Sequence, residues 1–142
     1  MAFRNPVDID AINARARGSL VENLGITITE AGDDWLRGTM PVDARTRQPY
    51  GLLHGGASVA LAETLGSMAG NLCVDNAKEM VVGLEINANH LRAMREGVVT
   101  GTARALHVGR STQVWEIRIE NDAGKPVCIS RLTLAVVPLP KA

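Results

Sequence analysis

From residue 115 to 120 apolar and charged side chains alternate, with Trp115, Ile117 and Ile119 on one side and Glu116, Arg118 and Glu120 on the other. A period of two with one wet face marks a strand of an antiparallel sheet. Further β-type runs are "MVVGLEINANHLR", "GVVTGTARALHV" and "KPVCISRLTLAVV", with turns at "REG", "VGRS" and "NDAGK". Upstream, "LGITITEA" and "DWLRGTMPV" form a hairpin pattern whose turn is made by Asp33 and Asp34. "VDIDAINARARG" predicts a short amphipathic helix, with Ile9, Ile12 and Ala16 on one side and Gly18 as its stop. A second, long helix is expected from Gly55 to about Val74, ending at Asp75-Asn76. Before it, "DARTRQPYGLLH" has no periodicity and is expected to be an irregular loop of the functional kind. Short helix, two strands, long helix and four strands indicate an α+β fold of five to six antiparallel strands wrapped around one central helix.

The long helix carries an unusual face. At about 100° per residue, Leu61, Leu65, Met68 and Leu72 share a narrow arc that is expected to pack on the sheet. The opposite arc holds Gly56, Val59, Ala60, Glu63, Gly66, Ser67 and Gly70, with Glu63 its only ionisable residue. Small residues admit a ligand or another backbone closely. Glu63 is therefore expected in a narrow, largely covered space, where a charge is costly unless used or paired. Pairing with a nearby Arg is the simpler alternative. His54 precedes Glu63 by nine residues, about 900° of rotation and roughly 13 Å of rise on a regular helix. The two cannot meet within one chain. Either they are unrelated, or each completes a site with its counterpart from a second, symmetry-related copy.

The chain has 142 residues and a formal net charge of zero. One domain, residues 1–142, is expected. Balanced charge argues against nucleic acid as a partner and leaves a surface suited to self-association. No apolar run resembles a signal peptide or a membrane span, so a cytoplasmic protein is expected. Cys73 and Cys128 match no metal or redox spacing and are read as small hydrophobes. No metal site is expected. At the entrance of the long helix, Gly55 and Gly56 leave the unpaired first-turn N–H groups accessible. Such a terminus binds an anion or polarises a carbonyl oxygen. With a shielded carboxylate opposite, that chemistry describes acyl transfer to water.

"Q-P-x-G-x-x-H-G-G" followed by "A-x-x-L-A-E-x-x-G-S" resembles the hotdog-fold acyl-CoA thioesterases of the glutamate-type 4-hydroxybenzoyl-CoA thioesterase branch. Within it, the chain is similar to the dihydroxynaphthoyl-CoA hydrolases and the proofreading thioesterases of enterobactin synthesis. "VVGLEINANHLR", "REG" and "QVWEI" extend the match. The resemblance implies a hotdog fold that pairs into dimers, needed for the active site, and then into a dimer of dimers. It implies Glu63 as nucleophile or general base, and Gln48, His54 and the Gly55 N–H as the groups that polarise the thioester carbonyl. Ser67 would place the water or the carboxylate. Coenzyme A contacts would fall to Gly83, to His90, Leu91, Arg92 and Ala93, and to His107, Val108, Gly109, Arg110, Ser111 and Thr112. Relatives tend to read Gly-Ser-Arg where this chain has Gly109-Arg110-Ser111. The expected substrate is an acyl-CoA, or an acyl carrier protein thioester, with no separate cofactor, since coenzyme A is part of the substrate.

Tyr50, Val59, Ala60, Met68 and Val82 are candidates to line the acyl pocket. Arg45 and Arg47 are read as surface charge, and Trp115 as core. Two other readings compete with hydrolysis: hydration of an enoyl thioester, and non-catalytic binding of an acyl-CoA.

Overall fold

The computed structural model describes residues 3–141. Its elements are α1 (Ile9–Arg15), α2 (Leu20–Asn23), β1 (Thr27–Ala31), β2 (Trp35–Pro41), α3 (Gly55–Asn71), β3 (Glu79–His90), β4 (Val98–Val108), β5 (Thr112–Glu120) and β6 (Pro126–Pro138). The six strands form one sheet in the order β1-β2-β4-β5-β6-β3. Every neighbouring pair is antiparallel. The sheet wraps around α3, as the alternation of the strands and the single long helix predict. Among the described residues no helix is long and apolar enough to cross a membrane.

Two features bend the sheet. Leu84 of β3 and Leu106 of β4 are extra residues at register shifts. They sit in adjacent steps of the ladder, Leu84 between the rows through Leu134 and Thr133 and Leu106 between those through Thr133 and Leu132. An extra residue on one strand raises the local twist and curls the ladder. The second feature is a hole in the sheet. Gly38 and Gly101 are register partners, and a Cβ on Gly101 would lie 2.7 Å from Leu65 Cδ1. Leu65, fully buried, fills that hole.

The helix reaches the sheet on a broader and rotated arc than the leucine stripe suggests. Leu61, Leu65 and Leu72 are buried, but so are Ala62, Gly66, Ala69 and Gly70, whereas Met68 is only partly covered. Gly66 and Gly70, expected on the small outward arc, face the sheet instead. A Cβ there would lie 2.5 Å from Leu132 Cδ2 and 2.6 Å from Leu134 Cδ1 respectively. The reason is curvature: a sheet that wraps a helix covers more than half its circumference, and the smallest residues go where the approach is closest.

Under the helix lies a buried polar chain. The Trp115 indole N–H donates to Gln113 Oε1 at 2.9 Å, and Gln113 Nε2 donates to the Gly70 carbonyl at 3.3 Å. Both side chains are fully buried, so each polar atom must find its partner inside.

Other expectations are corrected locally. The helix ends at Asn71 with Leu72 as its C-cap, short of Val74. The 43–54 segment holds no helix or strand, as expected, but its turns are fixed by hydrogen bonds and one isolated bridge. The buried Thr46 hydroxyl donates to the Pro41 carbonyl at 2.8 Å and accepts from the Asp43 N–H at 3.1 Å. The His54 N–H then donates to the Thr46 carbonyl at 2.8 Å, and Arg47 and Leu53 bridge. Arg45 pairs with Asp43 at 2.7 Å and Arg47 Nε donates to the Arg95 carbonyl, consistent with surface roles. Unforeseen is α2, a single turn that follows Ser19.

The N-terminal segment is tied at two points. Asn5 Nδ2 donates to the carbonyls of Asn71, Leu72 and Val74 at the end of α3. Asn13 exchanges two hydrogen bonds with the backbone of Ile28 on edge strand β1, at 2.8 and 2.9 Å.

Two outcomes test this packing. Gln113→Leu leaves the Trp115 indole N–H without an acceptor, which costs about 1–3 kcal/mol, read as a lower denaturant midpoint at unchanged slope. Cys73 and Cys128 are free thiols, and burial raises the pKa of both, that of Cys73 to about 11. A raised pKa leaves the thiol protonated at pH 8, with a Cys73 thiolate fraction on the order of 10⁻³. Native protein at pH 8 should therefore react with an aromatic disulfide at least about tenfold more slowly than unfolded protein.

Candidate active site

The start of α3 is built by its cap. His54 is extended (φ −69, ψ 131), and its Nδ1 accepts the Gly56 N–H at 2.8 Å. In the neutral ring that bond puts the proton on Nε2, which remains a donor pointing away from the cap. A Cβ on Gly56 would lie 2.9 Å from the His54 ring, and one on Gly55 would lie 2.9 Å from His90 Nε2. Each glycine therefore makes room for one histidine, and the Gly55 N–H stays accessible at the positive end of the helix dipole.

Gln48, Gly55 and Ser58 share a groove of about 380 Å³ with His90, Leu91, Arg92 and Ala93. Gln48 Oε1 accepts the Tyr50 N–H, and its backbone N–H donates to the Leu52 carbonyl at 2.7 Å. With the oxygen committed, the amide nitrogen of Gln48 is the end left to donate into the groove.

Glu63 lies elsewhere. It lines a second groove, of about 540 Å³, with Gly56, Val59, Ala60, Ser67 and Met68 of α3 and with Leu20 and Val21 of α2. Its carboxylate rests against β3, where a Cβ on Gly83 would run into Oε2. The alternative of an Arg partner is not met: among the described residues Glu63 has no ion pair and no side-chain hydrogen bond. It is half-buried, so water is its remaining ligand. Ser67 is on the same wall, one turn further on.

The residues expected to contact coenzyme A also divide. Gly83 sits beside Glu63. The β4–β5 turn lies at the same end of the sheet, because Thr112 and Val82 share Ala135 as register partner, two strand spacings or about 10 Å apart. That turn is closed by the Gly109 N–H donating to the Thr112 carbonyl at 2.8 Å, and the Val136 N–H donates to the Ser111 carbonyl. Val108 ends β4, His107 stands against Gly109, and Arg110 is exposed. His90 through Ala93 lie at the other end of β3, seven residues or roughly 23 Å away.

One chain thus keeps two groups apart on either side of α3, hydrogen-bond donors at its start and an acid further along. Of the expected acyl-pocket residues, Val59, Ala60 and Met68 line the Glu63 groove. Tyr50 (86% exposed) and Val82 do not. Val82 precedes Gly83 on a strand, so it points to the opposite face. Leu20 and Val21 were missed; their signal is an apolar pair directly after the helix-starting Ser19. Among the described residues no group of three or more His, Cys, Asp or Glu side chains is placed to hold a metal.

Residues 50–128 match the family model described as the thioesterase superfamily. The chain is 51% identical over 137 residues to the 1,4-dihydroxy-2-naphthoyl-CoA hydrolase of Escherichia coli (strain K12), covering 96% of this chain and 100% of the relative. It is 53% identical to the proofreading thioesterase EntH of Cronobacter turicensis, covering 96% and 99%. A crystal structure of a mutant thioesterase from Pseudomonas aeruginosa superposes with a TM-score of 0.96 at 55% identity, covering 98% of this chain and 100% of that one. With its six-stranded antiparallel sheet around one long helix, the chain belongs to the thioesterase superfamily, as a thioester hydrolase of the hotdog fold.

Proposed function

We propose that the protein hydrolyses acyl-CoA thioesters, with aromatic or medium-sized acyl groups, in a site shared by two copies of the chain. The observation that carries this reading is the unpaired Glu63 carboxylate, which opens on a groove separate from the donors at the start of α3. An acid and an oxyanion-binding set are both needed, and one chain keeps them apart. A two-fold pair of chains gives each acid the partner's donors and yields two identical sites from one interface.

Strand β3 supports that pairing. It is a twelve-residue edge strand bonded only to β6. Its outer edge carries unpaired backbone groups beside exposed Leu84 (61%), a template that pairs with another strand unless protected. A second β3 is the natural occupant, with dimers joining further into tetramers.

In this mechanism the thioester carbonyl oxygen lies against the Gly55 N–H, with Gln48 Nε2 and His54 Nε2–H as further donors. Glu63 takes a proton from water as the water oxygen attacks the carbonyl carbon, or itself attacks to give an anhydride that water then cleaves. Charge develops on the carbonyl oxygen and is met by the donors. The C–S bond breaks, and the coenzyme A thiolate leaves and takes up a proton. Ser67 holds the water or the carboxylate. Gly83 lets the carboxylate sit against the strand. His90–Ala93 and the 107–112 turn hold coenzyme A, and carrier-protein thioesters share the same phosphopantetheine arm. The relatives named as a dihydroxynaphthoyl-CoA hydrolase and a proofreading thioesterase support this chemistry.

Glu63→Gln should lower kcat about 10²- to 10⁴-fold with unchanged circular dichroism, measured as free thiol released from benzoyl-CoA. An unchanged kcat excludes the mechanism. Mixing is the test of the shared site. Glu63→Gln and Gln48→Ala chains, each inactive alone, should recover roughly a quarter of wild-type activity after unfolding and refolding together. Half of the random dimers would then hold one intact site of two. No recovery means that each chain carries its own complete site.

A further inference from the structure

Four polar residues among those described are buried: Thr46, Ser58, Gln113 and Ser130. Three of them are bonded within the chain. Thr46 donates to the Pro41 carbonyl at 2.8 Å, Gln113 to the Gly70 carbonyl at 3.3 Å and Ser130 to the Asn87 carbonyl at 2.8 Å. The Ser58 hydroxyl makes no hydrogen bond among the described residues, although Ser58 is only 1% exposed. No side-chain oxygen or nitrogen among the described residues is both sealed from solvent and unbonded. The small exposure that Ser58 keeps therefore falls on its hydroxyl, which opens into the groove it shares with Gln48, Gly55 and His90. We infer that the Ser58 hydroxyl is a further catalytic donor, bonding the thioester carbonyl oxygen held at the Gly55 N–H. The inference rests on the hydrolytic reading above and adds a residue to its site.

Energetics and position both carry it. A buried hydroxyl without a partner works against the fold, and Ala is the better helix former at such a position. Nothing within the chain offsets that cost, whereas a substrate oxygen in the groove does. Ser58 follows Gly55 by three residues, on the same face of α3 and about 4.5 Å further along the axis. A helical side chain leans back over the turn before it, so the hydroxyl reaches towards the level of Gly55. Gln48 Nε2 enters the same groove from the 43–54 segment. Backbone, loop and helix face thus each bring a donor to one oxygen. As the acyl carbon becomes tetrahedral, negative charge collects on that oxygen. An O–H donor bonds the charged oxygen more strongly than the neutral carbonyl. Ser58 therefore acts on kcat more than on binding.

The experiment measures kcat and KM by thiol release from benzoyl-CoA and octanoyl-CoA, and the urea midpoint, for wild type, Ser58→Ala and Ser130→Ala. Ser58→Ala should lower kcat at least about tenfold with KM within about threefold of wild type. Its midpoint should hold or rise, because a hydroxyl with no partner in the fold is exchanged for a better helix former. Ser130→Ala is the opposite case. It strips the Asn87 carbonyl of its donor, so its midpoint should fall while kcat stays within about threefold of wild type. A smaller loss of kcat in Ser58→Ala, or a loss confined to KM, overturns the assignment and leaves the hydrolytic reading standing. A lower midpoint, or failure to fold, in Ser58→Ala overturns it too, since the hydroxyl then serves the fold. So does an equal loss of kcat in Ser130→Ala, which ties activity to core polarity and not to a substrate contact. Wild type that releases no thiol from either substrate overturns the hydrolytic reading and this assignment with it.

Discussion

The depth at which α3 sits in the sheet governs the rest of the molecule. Leu65 fills the hole left by Gly38 and Gly101, and Gly66 and Gly70 bring the helix backbone close to Leu132 and Leu134. Nothing larger fits at those positions without displacing the sheet, because interiors are packed to crystal-like density. Closeness on this side leaves the other side of the helix with only small side chains and one acid. The curvature that permits it comes from the two extra residues on β3 and β4.

Helix depth also fixes the separation of the chemistry. The start of α3 is pinned by the 43–54 segment through Thr46, which orients His54 and Gln48. Glu63, two and a half turns on, is set by the Gly83 backbone. A rigid rod with hydrogen-bond donors at one end and a carboxylate on the far face cannot fold back on itself. Under the shared-site reading, geometry that is useless in one chain becomes productive in a pair, and catalytic competence is tied to assembly.

Much of the fold was legible in residue order. Period-two alternation located β1, β2 and β5, and β-type runs between turn signals located the other three strands; the position of Glu63 on an arc without other charges singled it out. The bulky stripe marks the buried face only in part: Leu61, Leu65 and Leu72 are inside as expected, but the sheet wraps further than a flat one would, so Gly66 and Gly70 are inside too while Met68 is at a groove. The 43–54 segment was legible as irregular, and it is; what left no periodic trace is the way one hydroxyl, Thr46, fixes its turns by bonding to backbone. Helix α2 is a single turn, too short for periodicity to register. The roles of Leu20 and Val21 depend on where that turn lands, a matter of tertiary contact.

Asn5 lies close to the beginning of the chain and is spent on the far end of α3, where its amide satisfies three carbonyls while the Arg4 and Asn5 N–H groups both reach the Leu72 carbonyl. The leading residues therefore act as a clasp on the rod that carries Glu63. A change at Asn5 that removes its side-chain amide would work directly against that clasp.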